Sequence, residues 1–108
     1  MRRSALSATF AVAVLPILYS WQVHAQSFNC RYAKTADEVL ICQDSNLSAL
    51  DEQMSAIFFK LRNNLSERQR RSLDAEQQYW LRGRMSCGRD ADCIENAYER
   101  RVRQLNAY

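Results

Sequence analysis

Four cysteines are the first residues whose chemistry needs a decision: Cys30, Cys42, Cys87 and Cys93. Eleven residues separate the first two and five the last two, so no C-x-x-C pair exists to hold zinc, a haem or a redox dithiol. An even count in a short chain that carries an export signal reads as a disulfide framework. The only histidine, His24, lies inside that signal. The remainder therefore has no imidazole for general-base work, for a Ser-His or Cys-His pair, or for a metal. With the cysteines oxidised, no thiolate nucleophile is left. Glycine-rich phosphate loops are absent too. Twelve acids remain, but a paired-carboxylate mechanism needs a deep cleft, for which a helical domain of this size has little room. These readings point to a protein that is not an enzyme and carries no cofactor or metal.

Two constellations could instead meet a partner. Trp80 with Arg84, near Glu76 and Gln77, has the composition of a protein-binding hot spot. The alternative is a core tryptophan whose indole N–H finds a polar partner, with Arg84 pairing a carboxylate such as Asp51. The loop Cys87-Gly88-Arg89-Asp90-Ala91-Asp92-Cys93 is short and polar. If cross-linked, it presents Arg89 and Asp90 at low entropic cost; otherwise it is a plain helix connection. Arg89, Asp90, Arg84 and Trp80 are thus the candidate partner-binding residues. Arg68, Arg70 and Arg71 read as a solvated face, and Arg100, Arg101 and Arg103 as complements to a helix dipole.

Residues 1–25 read as a cleaved secretory signal. Arg2 and Arg3 are its positive head, residues 8–19 its apolar stretch, and Val23-His24-Ala25 its small-residue cleavage site. The apolar stretch is short of the roughly 20 residues that span a membrane, and Pro16 interrupts it. Ser4-Ala5-Leu6 fits twin-arginine export poorly. Ser27-Phe28-Asn29 before Cys30 is no lipid-attachment box, so no stable membrane anchor is expected. The expected product is one domain, residues 26–108, periplasmic or secreted. Of 15 basic residues the signal takes two and of 12 acidic ones none, which leaves +1. So near neutrality, nucleic acid is not expected as a partner.

What must position these side chains is helical. Glycine occurs only at Gly83 and Gly88, and proline only in the signal. Leu, Ala, Gln, Glu and Arg are plentiful, and no alternating strand pattern appears. Thr35-Ala36-Asp37-Glu38 is a capping-box pattern opening a short helix to about Cys42. Asp44 or Ser45 caps a second, whose stripe is Leu47, Leu50, Met54, Ile57, Phe58 and Leu61. Asn63-Asn64 ends it, and Ser66-Glu67-Arg68-Gln69 is a second capping box. The third helix carries Leu73, Gln77, Trp80, Leu81 and Arg84 on one side, with Gly88 as a left-handed stop. Asp90 or Asp92 opens the last, along Ile94, Ala97, Tyr98, Arg101, Val102 and Leu105. The fold class is all-α: a small antiparallel bundle of about four helices, one short and three longer, stapled by two disulfides. The short link makes helices two and three a hairpin, with Leu50 near Trp80 and Leu47 near Gly83. Cys30–Cys42 with Cys87–Cys93 is the favoured pairing, since each closes a local loop worth about 2–3 kcal/mol. Cys42–Cys87 is the alternative.

The order Phe28-Asn29-Cys30, Glu38 through Ile41-Cys42, and Leu47-x-x-Leu50-Asp51 resembles the first half of the LprI-like lysozyme inhibitor domain. Gln78-Tyr79-Trp80-Leu81-x-x-Arg84-x-x-Cys87 resembles its second half, and Cys93, Tyr98, Arg101 and Leu105 its closing helix. The resemblance runs from Phe28 to Leu105. It implies an exported helical domain that binds and inhibits a c-type lysozyme and so protects peptidoglycan. Another envelope interaction, as an immunity or assembly partner, is the second expectation. The chain departs from the lipoprotein that names the family in having no lipid-attachment cysteine. No inhibitory site carries over residue by residue.

Overall fold

The computed structural model describes residues 27–108; the expected signal lies outside them. A single 3₁₀ turn, Cys30–Tyr32, leads into α1 (Ala36–Gln43), α2 (Ser45–Asn63), α3 (Glu67–Ser86) and α4 (Ala91–Asn106). The described residues contain no strand. The expected all-α class, with one short and three longer helices, holds. No helix among the described residues is long and apolar enough to cross a membrane.

The helix starts follow local side-chain chemistry. Asp44 caps α2 by accepting from the backbone N–H groups of Asn46 and Leu47 at 2.9 and 3.0 Å. Ser66 and Gln69 form the complete reciprocal box on α3. Asp90, not Asp92, caps α4, accepting from the Cys93 N–H at 3.1 Å. The expected capping box at Thr35 does not form. Its hydroxyl donates to Glu38 Oε1 at 2.7 Å and makes no cap bond to the backbone. Gly88 takes a φ of +59°, the left-handed value that lets the chain leave α3 without a side-chain clash.

Leu47, Met54 and Phe58 of α2 face Ile94, Tyr98 and Leu105 of α4, with Ile41 and Leu73 completing the buried core. The α2 backbone packs most closely on α4, while α1 packs against both α2 and α3. The expected hairpin of α2 and α3 is therefore splayed. These two helices meet through long side chains. Arg62 grips Asp74 with Nε and Nη2 at 2.8 and 2.9 Å, and Gln77 Nε2 reaches Met54 Sδ at 3.4 Å. The reason is the buried stripe of α3, which reads Leu73, Gln77, Arg84. Two of its three members are long and polar, and they need room and partners instead of flush apolar contact.

Both favoured disulfides form: Cys30–Cys42 with Cα atoms 5.7 Å apart, and Cys87–Cys93 with Cα atoms 5.6 Å apart. The first pins the 3₁₀ turn to the end of α1. The second closes the α3–α4 loop across Gly88, Arg89 and Asp90.

Candidate functional site

Arg84 sits at the centre of the molecule and is only 4% exposed. A guanidinium that deep must have its charge and its N–H groups answered from nearby. Four elements supply the answer. From α1, Asp37 accepts from Nε at 2.8 Å. From α4, the Tyr98 hydroxyl accepts from Nη1 at 3.1 Å. That hydroxyl in turn donates a hydrogen bond to Asp51 Oδ1 on α2 at 2.8 Å, and Asp51 lies 3.8 Å from Nη1. The Ser27 backbone N–H closes the chain by donating to Asp51 Oδ2 at 2.8 Å, and its hydroxyl donates to Asp51 as well. Rings line the remaining sides. The guanidinium carbon is 5.3 Å from the centroid of Phe28, 5.6 Å from Trp80 and 5.9 Å from Tyr98.

Electrostatics agree with this geometry. Burial alone would raise the Asp37 carboxyl; the nearby Thr35 hydroxyl and the Arg84 guanidinium outweigh it and hold it below the usual carboxylate value. Arg84 is the counter-charge in direct contact with Asp37, on Oδ2, and Asp37 Oδ1 has no hydrogen-bond partner among the described residues. Burial would lower Arg84, but Tyr98 and Asp37 raise it above its ordinary value. Tyr98 is pushed far up by burial and by Asp51, so it stays a neutral phenol that donates to Asp51.

Trp80 is half-buried. Its indole N–H donates to the Ala97 carbonyl at 3.0 Å, and its ring lies 5.2 Å from that of Tyr98. The alternative given for the Trp80–Arg84 pair, a core tryptophan beside a paired arginine, describes what is seen. The carboxylate in direct contact is Asp37, with Asp51 reached through Tyr98. Sequence reasoning had set Asp37 in a capping box, and its clue as a buried partner was weak: first-turn acids are ordinarily solvated. Ser27 offered no signal at all.

A second buried arginine, Arg101 on α4, is 3% exposed and less well answered. Its Nε donates to Gln77 Oε1 at 2.9 Å, Nη1 reaches Gln104 Oε1 at 3.4 Å, and Glu76 stands off at 3.8 Å. Nη2 has no hydrogen-bond partner among the described residues. Burial pulls Arg101 below its ordinary pKa, and Glu76 and Tyr108 offset this only in part.

Of the four residues nominated for a partner, the structure buries Arg84, sets half-buried Trp80 against it, and places Arg89 and Asp90 on the surface. Asp90 is occupied as the α4 cap. Arg89 is exposed on the loop that Cys87–Cys93 closes. All four cysteines are paired. Among the described residues no group of His, Cys, Asp and Glu is placed to hold a metal ion.

Comparison with known proteins adds the lineage. Residues 29–105 match the family described as Lysozyme inhibitor LprI. Lipoprotein LprI from Mycobacterium bovis and Lipoprotein LprI from Mycobacterium tuberculosis are each 32% identical to the chain over 83 residues. Those matches take in 74% of this chain and 41% of each relative, so the chain spans about two fifths of their length. No solved structure matches. The family match begins one residue before the first disulfide and takes in both bridges, the Arg84 cluster on all four helices, and Leu105 at the end of the core. The chain belongs to the LprI lysozyme inhibitor family.

Proposed function

We propose that this chain is an exported envelope protein that binds a c-type lysozyme and blocks it, protecting peptidoglycan. The observation that carries the reading is family membership over residues 29–105. In this reading the protein acts by occupying its target, in keeping with the family's description as an inhibitor. Export rests on residues 1–25. Cys30 is bonded to Cys42, so its sulfur is not open to lipid attachment.

A lysozyme works through two carboxylates in a cleft. The part of the inhibitor that enters such a cleft must be convex, rigid and rich in donors. Arg89 meets these terms. It is exposed, its loop is closed by a disulfide, and the loop is tied to α4 through the Asp90 cap. Arg84 and Trp80 support the interface from behind, by fixing α3 against α1 and α4.

The test is a titration of the oxidised protein into a c-type lysozyme assay on cell-wall substrate, beside a reduced sample and an Arg89→Ala variant. Saturable inhibition that falls on reduction, with loss of about tenfold or more in the variant, is the expected result. No inhibition at large molar excess overturns the reading. Inhibition unchanged in the variant moves the contact off the loop.

A further inference from the structure

Between α3 and α4, beside their disulfide-closed loop, lies a groove of about 1040 Å³. Its walls include Glu76, Tyr79 and Trp80 from α3, and Arg100, Arg101 and Gln104 from α4, with Arg82 beside Tyr79. The Cys87–Cys93 bridge closes one end. This volume suits a ligand or a short peptide.

We propose that this groove is a binding site for an acidic segment of a partner protein. Charge is the first argument. Among the described residues, Arg82, Arg100 and Arg101 line the groove beside one acidic residue, Glu76. The charge of Arg84 at the back is answered by Asp37 and Asp51. The balance is local, since the product expected after signal cleavage carries only +1. Arg100 is exposed and has no ion-pair partner among the described residues. The second argument is the orphaned nitrogen. Arg101 Nη2 is buried without an acceptor, and native proteins rarely leave a buried donor unanswered. An incoming carboxylate at Arg100 brings a counter-charge beside the under-paired Arg101 guanidinium. The third argument is the floor. The exposed Tyr79 and half-buried Trp80 offer ring faces to apolar side chains next to the acid, and Trp, Tyr and Arg together are the composition of binding hot spots. Nucleic acid fits less well. It needs a basic stripe along a surface, and these arginines converge in one concavity.

The groove is concave, so it receives a protruding segment and cannot itself enter an enzyme cleft. The proposal thus stands apart from the Arg89 reading, and the probe that tests it contains no lysozyme. Calorimetry on the oxidised protein would use a blocked peptide, Ac-Glu-Leu-Glu-Phe-NH2, and its twin with glutamine in place of both glutamates. The glutamate peptide is expected to bind saturably, at least about tenfold more tightly than the twin. Its affinity should fall severalfold between about 0.05 M and about 0.5 M salt. Arg100→Glu, a surface change that leaves the core alone, should weaken binding about tenfold or more. Glu76→Gln, which removes the competing carboxylate, should tighten it severalfold. Equal binding of the two peptides, absence of binding by either, or indifference to Arg100→Glu overturns the proposal. So does a neutral chitooligosaccharide that binds where the acidic peptide does not, which would assign the groove to a glycan.

Discussion

Arg84 and Arg101 lie at almost the same depth, 4% and 3% exposed, and both reach inward from neighbouring helices. Their surroundings differ. Arg84 has a carboxylate at 2.8 Å, a second at 3.8 Å, a phenol hydrogen bond and three rings around it, drawn from all four helices and the residues before them. Arg101 has two amide oxygens, one of them at the long distance of 3.4 Å, a carboxylate 3.8 Å off, and one nitrogen without a partner. Burial acts against the charge of both. At Arg84 it is outweighed, at Arg101 it is not. Burial by itself therefore says little about what an arginine does. The supply of acceptors separates an arginine committed to the fold from one left with capacity for a ligand.

The sharpest way to break this contrast is Arg84→Met. Removing one partner of a buried ion pair leaves Asp37 buried and unanswered, with an expected loss of about 3–5 kcal/mol in chemical denaturation. A loss below about 1 kcal/mol would mean that the cluster is not what joins the four helices. Next comes the first disulfide. Cys30→Ser with Cys42→Ser frees the turn that follows Phe28, whose ring lies against Arg84, and about 3 kcal/mol should go in the same measurement. Combined with Arg84→Met, the loss should be less than additive, because both changes loosen the same cluster.

Acid gives the third and smaller test. The Asp37 pKa is lowered in the folded state. A depressed carboxylate contributes stability that is fully present above its unfolded value, about 3.9, and is lost as pH falls through the folded value. Thermal midpoints should hold near neutrality and drop below about pH 4. In Asp37→Asn the starting midpoint is lower and the acid-induced drop is smaller. An unchanged drop in that variant would place the acid sensitivity elsewhere, for example at the surface pair Arg62–Asp74.

Much of this was legible from residues close together in the chain. The caps at Asp44, Ser66 and Asp90 and the left-handed Gly88 depend on four or five consecutive residues, and so do the signals that reveal them. Both disulfides close short loops, which is why their pairing could be favoured over Cys42–Cys87. The stripe on α4 is a 3.6-residue periodicity, and Ile94, Ala97, Tyr98, Arg101 and Leu105 are indeed its buried members. What stayed hidden involves long separations. Asp37 and Arg84 are 47 positions apart, as are Tyr98 and Asp51, and no local pattern says which acid meets which base. The hairpin count ran residue against residue across a short turn, but it took no account of how far Gln77 and Arg84 hold α3 from α2. The groove was out of reach for the same reason. It depends on how α3 and α4 pack against each other, and from the sequence alone Arg100 and Arg101 read as dipole complements.

Arg101→Met is the smallest expected effect and the one on which the comparison turns. The substitution removes the bond to Gln77 and leaves that amide oxygen short of a donor, a cost of about 1 kcal/mol. It also removes a desolvated charge with one unanswered nitrogen and puts an apolar chain of similar length in its place, which offsets about as much. The net change in stability should lie within about 1 kcal/mol. The variant should nevertheless lose binding of the glutamate peptide, a function that Arg84→Met, where it still folds, should weaken far less. If Arg101→Met instead costs as much as Arg84→Met, the two arginines are equally bound into the fold. The unanswered nitrogen then gives no reason to expect a ligand.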